Sequence, residues 1–424
     1  MDTIYALSSA PGRAGIAVVR VSGPEAARAI AVLTGAPVPA PRMATLAAIG
    51  GIDRGLVLFF QGPASFTGED MAEFHVHGGR AVREALLAAL AAFGRPAEPG
   101  EFTRRAVGNG KLDLTRAEAI ADLIDAETQA QRRQALRQYD GALADLYEGW
   151  RTALVRASAW AEAAIDFADE ELPADTMARS HSAMGEVLAH IRAHLDDAAR
   201  GELLREGLHL AVVGPPNAGK SSLVNALARR DVAIVAETAG TTRDVIEVRM
   251  DLGGYLVTVA DTAGLRGDTA DAAEAEGVRR ALARAEADDL VLLLLDASSD
   301  APAPAIRADL VVWNKSDLKR RGDDGLALSL KTGEGLGAVI AALTRKVRDR
   351  LDGHGGEAPV LTRKRHRIAL EDAARALEQA LAAPAPELLA EDLRLALRAL
   401  GRITGRVDIE ELLDVVFKDF CIGK

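Results

Sequence analysis

Cysteine is nearly absent from this chain of 424 residues: there is one, Cys421, so no internal disulfide can form, and a reducing compartment is expected. Aromatic residues are only 4% of the total, and no apolar run approaches the roughly 20 residues that a membrane-spanning helix needs. Residues 1–21 start with an acid, lack a basic leading stretch and carry Pro, Gly and Arg in mid-run, which does not fit a secretory signal. These absences point to the cytoplasm and away from membranes. Nor is there an excess of positive charge. The formal net charge is −11, so any contact with nucleic acid has to come from a local patch or through a partner. What is present, 49% hydrophobic and 27% charged residues, belongs to a folded chain long enough for about three domains.

The stretch with most chemical content is residues 208–222, LHLAVVGPPNAGKSS, an apolar strand-like run that breaks at Gly214 and resumes as a helix after Gly219. The Gly-x4-Gly-Lys-Ser spacing is that of a phosphate-binding loop, in which a nest of N–H groups at a helix N-terminus cradles a phosphate chain. Lys220 would reach the β- and γ-phosphates and Ser221 would hold Mg²⁺, with Asn217, Ala218, Gly219 and Ser222 completing the loop. Asp261, Thr262, Ala263 and Gly264 end a later strand, where an aspartate can hold Mg²⁺ through water and the glycine amide can meet a γ-phosphate. Thr241 and Thr242 fall between these motifs, the place of a switch that senses the γ-phosphate. Asn314, Lys315, Ser316 and Asp317 follow another strand. The Asp317 carboxylate can accept two N–H donors of guanine, Asn314 can satisfy the other edge, and the Lys315 stem can lie along the base. Adenine presents the opposite pattern, so GTP is selected over ATP. Ser329, Leu330 and Lys331 occupy the place of the last, base-backing loop. Leu265 stands where many GTPases carry a water-orienting glutamine, and a leucine cannot do that work. Arg243 and Arg266 are close enough in sequence to be considered as helpers.

The fold class expected is multidomain, α/β plus α. Residues 1–114 alternate strand-like runs with Gly/Pro breaks around one amphipathic helix at about residues 81–93, an α+β domain. His75 and His77 alternate on one of these strands, but a third metal ligand is missing, which favours solvated or core histidines. From Thr115, followed by Glu118 in a capping-box pattern, residues 115–205 read as helical. Their apolar positions, among them Ile120, Leu123, Ile124, Leu136, Leu143, Leu146 and Trp150, recur at three-and-four spacing as in a bundle. The acidic run from Asp166 reads as a solvated loop. Residues 206–352 have the order of a doubly wound P-loop G domain. Residues 353–424 are helical again and are expected to pack on the first helical part, which makes the G domain an insertion. The basic cluster Arg363, Lys364, Arg365 and Arg367 suits a nucleic-acid backbone or a solvated helix start equally.

With these residues in hand, the chain resembles the bacterial MnmE (TrmE) family of tRNA modification GTPases over essentially its whole length. The resemblance rests on DTIYALSSAPGRAGIAVVRVSGP, SFTGED with HGG, PGEFTRRAVGNGKLDLTRAEAIADLIDAET, GPPNAGKSS, AGTTRD, DTAGLR, NKSD and ITGRVDIEELLDVVFKDFCIGK. It implies a homodimer formed through N-terminal domains that bind a tetrahydrofolate derivative, in the 5-formyl or methylene form. It also implies a flavin (FAD) partner of the MnmG (GidA) type, with which carbon 5 of the wobble uridine of certain tRNAs is modified. By position, Arg20, Glu73, Lys111 and Lys424 match folate-binding residues. An Arg/Lys set suits glutamyl carboxylates, and Glu73 suits the donor edge of a pterin. Asn217 matches a potassium ligand. The nucleotide-contacting loop Ala236, Glu237, Thr238, Ala239, Gly240, Thr241 and Thr242 completes the site: Ala236 (through its carbonyl), Thr238 and Thr241 on K⁺, and Thr242 with Ser221 on Mg²⁺. Glu274 aligns with a water-orienting glutamate when Gly277 is the anchor, with Glu276 the alternative. Cys421 matches the family's Cys-x-Gly-Lys cysteine, a thiol that could act as a thiolate. Two other readings share parts of this text: a ribosome-assembly GTPase, and a folate-dependent one-carbon transferase with a regulatory G domain.

Overall fold

The computed structural model describes residues 2–166, 176–230, 232–234, 247–260, 289–300, 303–304, 306–321, 325–351, 360–407, 413, 416–417, 420 and 422–423. Two compact units divide the chain: one of Met1–Ala121, Gln138–Gly185 and Arg375–Lys424, the other of Asp122–Arg137 and Glu186–Ala374.

The first unit opens with a six-stranded sheet built from β1 (Ile4–Leu7), β2 (Ala14–Ser22), β3 (Thr45–Ile49), β4 (Asp53–Phe60), β5 (Met71–Gly78) and β6 (Arg95–Pro96), in the order β3-β4-β5-β2-β1-β6. All neighbours are antiparallel except β6, which runs parallel to β1. Because side chains alternate along a strand, Val19, Val21, Phe74, Val76 and Val57 share one face, and they are buried against α1 (Ala26–Thr34) and α2 (Arg80–Leu90). Each large side chain fully buried there, such as Ile30 or Leu86, stabilises the fold by about 1.5–3 kcal/mol. The opposite face carries Arg20, Glu73 and His75, cross-strand neighbours of one another or of apolar residues. The sequence suggested one helix in this region; three form. In α1 the buried positions Ala26, Ala29, Ile30 and Leu33 have helical spacing, but small alanines blur the pattern. The third, α3 (Glu101–Gly108), hides two charged residues, Glu101 and Arg105, in its buried face.

A second correction concerns the start of α4 (Leu114–Ile124). The cap is Asp113, not Thr115: the Asp113 carboxylate accepts the Arg116 amide at 3.0 Å and the Thr115 hydroxyl at 2.5 Å. Glu118 is 1% exposed and so belongs to the buried face rather than to a capping box, whereas Ile124, expected inside, is 43% exposed. Within this unit α6 (Ala142–Asp166) packs along α12 (Pro386–Thr404). Leu143, Tyr147, Trp150 and Leu154 are buried positions of α6, and Leu389, Leu393, Ala396 and Leu400 are buried positions of α12. Ion pairs Glu162–Arg394 (3.3 Å) and Glu148–Arg406 (3.2 Å) fix the two helices antiparallel. Further along, Leu413, Phe417 and Phe420 bury themselves against Val107, Leu114 and Ala117.

The second unit holds a seven-stranded sheet, β13-β12-β11-β7-β10-β9-β8, from β7 (Leu208–Val213), β8 (Ala233–Ile234), β9 (Glu247–Asp251), β10 (Leu256–Ala260), β11 (Leu290–Asp296), β12 (Leu310–Asn314) and β13 (Leu326–Ala327). β7 pairs in parallel with both β10 and β11, so the strand order reverses at its carboxyl end, the place where doubly wound sheets bind ligands. The core lies between this sheet, α9 (Lys220–Ala228) and α10 (Leu336–Leu351). α5 (Gln129–Tyr139), α7 (Thr176–Asp196), α8 (Ala198–Glu206) and α11 (Lys364–Ala382) complete the twelve helices of the described residues. The basic cluster turns inward here: Arg363 pairs with Asp122 at 2.6 Å, Arg367 with Glu202 at 3.2 Å, and His366 is fully buried. Of that run, Lys364 is exposed and Arg363, Arg365 and Arg367 are half-buried.

Candidate functional site

The loop between β7 and α9 has the backbone that a phosphate cradle requires. Asn217 sits at φ 59 and Gly219 at φ 101, so successive amides turn to one side, and Gly219 caps the N-terminus of α9. A Cβ at Gly219 would come within 2.5 Å of the Asn314 amide nitrogen, so the position needs glycine for space as well as for φ. The Lys220 ammonium folds back onto the Gly214 and Pro215 carbonyls, at 2.8 and 3.0 Å, holding the loop closed at its own rim. Ala218 is fully buried, while Ser221 is half-buried and Pro216, Asn217 and Ser222 are exposed.

Three further segments converge on this loop. Asn314, at the end of β12 and 4% exposed, donates to the Ala218 carbonyl at 2.7 Å and accepts the Leu330 amide at 3.2 Å. Ser329, fully buried, donates to the Asp317 carboxylate at 2.7 Å and accepts the Thr332 amide at 3.3 Å. Asp317 itself is exposed, so one of its oxygens is steadied by Ser329 while the carboxylate stays open to solvent. The Ser316 amide is tied to the Leu328 carbonyl at 3.0 Å, and Leu330 and Lys331 follow, half-buried and exposed. Lys315 adopts φ 63 and places its ammonium 2.6 Å from Asp296. Thus the P-loop, the Asn-Lys-Ser-Asp run and the Ser-Leu-Lys loop form one cluster, braced by Asn314.

On the first unit, the open face of the N-terminal sheet carries a second polar cluster. Arg20 donates two N–H groups to one Glu73 oxygen, at 3.1 and 3.0 Å, and the His75 ring is 3.1 Å from the other. The guanidinium lies over Phe66 and Phe102, at 5.6 and 5.8 Å from the ring centroids. Lys111 is exposed, with its ammonium 2.9 Å from the Pro63 carbonyl. His77 instead faces Asp53 at 2.9 Å. Burial would push the Asp53 carboxyl up, but the His77 amide and ring and the Arg54 amide outweigh it and hold it below the usual carboxylate range. No group of three metal-ligating side chains occurs among the described residues. The tail returns to this sheet: Ile422 bridges Pro99, and Ser8 donates to the Gly423 carbonyl at 2.9 Å. Gly423 has φ 92, and a Cβ there would collide with the Leu7 carbonyl, so glycine is required for the docking.

Residues 3–111 match the model described as "GTP-binding protein TrmE N-terminus", and residues 114–421 match "MnmE helical domain". The chain is 57% identical to the tRNA modification GTPase MnmE of Parvibaculum lavamentivorans and 55% to that of Paramagnetospirillum magneticum, in each case over 100% of both chains. The chain belongs to the MnmE family of tRNA modification GTPases. It is an enzyme, a GTPase, with TrmE-type N-terminal and helical domains and a P-loop G domain. Among solved structures, Aquifex aeolicus Era bound to GDP·AlF4⁻ is 21% identical over 40% of this chain and 66% of its own, with a TM-score of 0.26.

In this MnmE chain the structure gives two of the expected sites further partners. Asn314, expected at a guanine edge, is buried and its amide also braces the P-loop and Leu330. Arg20 and Glu73, both matched by position to folate-binding residues, are bonded to each other. Residues 236–242, 261–264, Arg243, Leu265, Arg266, Glu274, Glu276, Cys421 and Lys424 lie outside the described residues. Sequence reasoning weighed His75 only as a metal ligand, whereas it is part of the Arg20–Glu73 cluster, and it did not single out Asp296. The signal for His75 was its i,i+2 spacing from Glu73 on one strand face.

Asp317→Asn should weaken GTP binding by about 1–3 kcal/mol, because an amide would confront guanine donors with a donor, and should raise relative affinity for xanthine nucleotides. Titration with both nucleotides checks this, and unchanged GTP affinity would rule it out.

Proposed function

We propose that this chain couples GTP hydrolysis to modification of carbon 5 of the wobble uridine of certain tRNAs, adding a carboxymethylaminomethyl-type group together with a flavin-containing partner of the MnmG (GidA) type. Residues 206–352 act as an inserted G domain between helical parts 115–205 and 353–424, with Mg²⁺ at Ser221 and Thr242. Residues 1–114 bind a tetrahydrofolate derivative and pair with a second copy in the cytoplasm. No described helix is long and apolar enough to cross a membrane.

The observation that carries this reading is the seating of the tail on the N-terminal sheet. Ile422 and Gly423, which follow Cys421, are held by Pro99 and Ser8, on the domain whose open face bears Arg20, Glu73 and His75. A thiol and a one-carbon carrier acting on one base would have to share a domain in this way. Pairing of two copies is supported by the same face. Leu46 and Leu56 oppose each other on β3 and β4, are 58% and 40% exposed, and continue the row that contains His75.

Mass spectrometry of tRNA nucleosides from cells lacking the chain tests the reading, with the Cys421→Ser variant as its second arm. The deletion should abolish the modified wobble uridine, and the variant should do the same while keeping GTP turnover. Unchanged wobble uridines in the deletion strain would remove the proposal, and full modification by Cys421→Ser would reduce that cysteine to packing.

A further inference from the structure

Asp296 closes β11 opposite Asn314, the strand register that sets it beside the Asn-Lys-Ser-Asp run. Both of its oxygens are committed. One accepts the amide and hydroxyl of Ser298, at 2.9 and 2.6 Å, and the other meets the Lys315 ammonium at 2.6 Å. The carboxylate therefore cannot rotate away without giving up three partners. Its own loop is held in turn: Ala297 donates to the Asn314 carbonyl at 2.8 Å. Arg321 donates to the carbonyls of Ala297 and Ser299 and to Asp300, with its guanidinium 5.1 Å from the centre of the Trp313 ring.

Lys315 needs such a hold. It has a left-handed backbone, unusual for a lysine, and a side chain with four rotatable carbons that is 35% exposed. A free lysine would have to be ordered each time a base entered. We propose that Asp296 is a positioning residue for guanine nucleotides: by anchoring the Lys315 ammonium, it stretches the alkyl stem into the place where the base lies, before any nucleotide arrives. The inference rests on the reading that the Lys315 stem lies along guanine. It goes beyond the nucleotide motifs, because Asp296 belongs to none of them and touches the ligand only through Lys315.

The test uses the full-length chain and a fluorescent GDP, with equilibrium titration, release kinetics and steady-state GTP hydrolysis for wild type, Asp296→Asn, Lys315→Ala and the double variant. Asparagine keeps an acceptor for Ser298 but offers the ammonium no charge. Asp296→Asn should weaken GDP binding roughly 3- to 10-fold, the range for ordering one flexible side chain, mainly through faster release. KM for GTP should rise by more than kcat falls, and Asp296→Glu should recover part of the loss. The double variant should bind no more weakly than Lys315→Ala alone, since the aspartate then has nothing to hold. Additive losses in the double variant, or unchanged affinity in Asp296→Asn beside a weakened Lys315→Ala, would overturn the inference and leave the guanine reading intact. Unchanged affinity in Lys315→Ala would overturn both.

Discussion

Exchanging potassium for sodium should slow GTP hydrolysis by this chain about a thousandfold, the low end of what a positive group at the transferring phosphoryl is worth. The need for such a group follows from Leu265, an apolar residue after Gly264 in the Asp-Thr-Ala-Gly run, which can neither orient water nor carry charge. Potassium is the ion expected to supply it. Asn217 is exposed at the turn of the P-loop, in a left-handed conformation, and offers a hard amide oxygen. The loop from Ala236 to Thr241 is expected to add backbone and hydroxyl oxygens. An ion held there would supply positive charge where the transition state develops negative charge. A cage of oxygens sized for potassium would fit sodium poorly. Asn217→Ala should therefore bring the rate in potassium down to the rate in sodium, while Glu274→Ala should lower it through loss of the water-orienting carboxylate. Steady-state hydrolysis in the two salts, with Arg243→Ala and Arg266→Ala alongside, decides the matter. Equal rates in both salts would eliminate potassium, and collapse of the rate in either arginine variant alone would transfer the role to that arginine.

How far the sequence was legible depends on what each residue answers to. The P-loop could be read because its spacing is dictated by a ligand, and its glycines by φ and by the approach of Asn314. The two sheets were visible where strands alternate strongly, as in residues 16–22 and 73–78, and invisible where they are short, as in β3 and β6. The cap of α4 was misplaced because Asp113 and Thr115 are both capping residues and only geometry separates them. Partnerships between distant charges were not legible. Nothing in the text RKRHR says that Arg363 will meet Asp122, or in MAEFHV that Glu73 will be held by Arg20. Such pairs depend on which strands and helices become neighbours, a property of the packed core rather than of local pattern.

Replacing Arg105 with methionine should be the most damaging single change outside the nucleotide site, costing about 3–5 kcal/mol of stability. Its guanidinium is 8% exposed and links three acids. One nitrogen donates to the Asp2 carbonyl at 2.7 Å and to Glu69 at 3.0 Å, the other to the Asp2 carboxylate at 2.8 Å and to Glu101 at 3.0 Å. Glu101 is shared with Arg95, at 2.6 and 2.9 Å, and with the Glu98 amide at 2.9 Å, while Glu69 also accepts Ser22 at 2.7 Å. Methionine fills the space but leaves Glu69 and Glu101, 13% and 10% exposed, facing one fewer cation in a place where water does not readily reach them. Lysine should recover only part of the loss, since one ammonium cannot span acceptors that a fork reaches at once. The effect has a pH signature. Burial would raise the Glu101 carboxyl, but Arg95, the Glu98 amide and Arg105 outweigh it and hold it below its ordinary value. A carboxylate depressed in the folded state contributes stability that is complete above its unfolded value, about pH 4.3, and is lost as pH falls through the folded value. Removing Arg105 lessens that depression, so the variant should lose less additional stability than wild type on going from neutral pH to the acid side of about pH 4. Urea unfolding of the full chain at both pH values, with amide exchange followed in residues 4–22 and 101–108, measures both parts. A loss below about 1 kcal/mol at neutral pH would mean that the acids relax to solvent and that the network adds little to the fold.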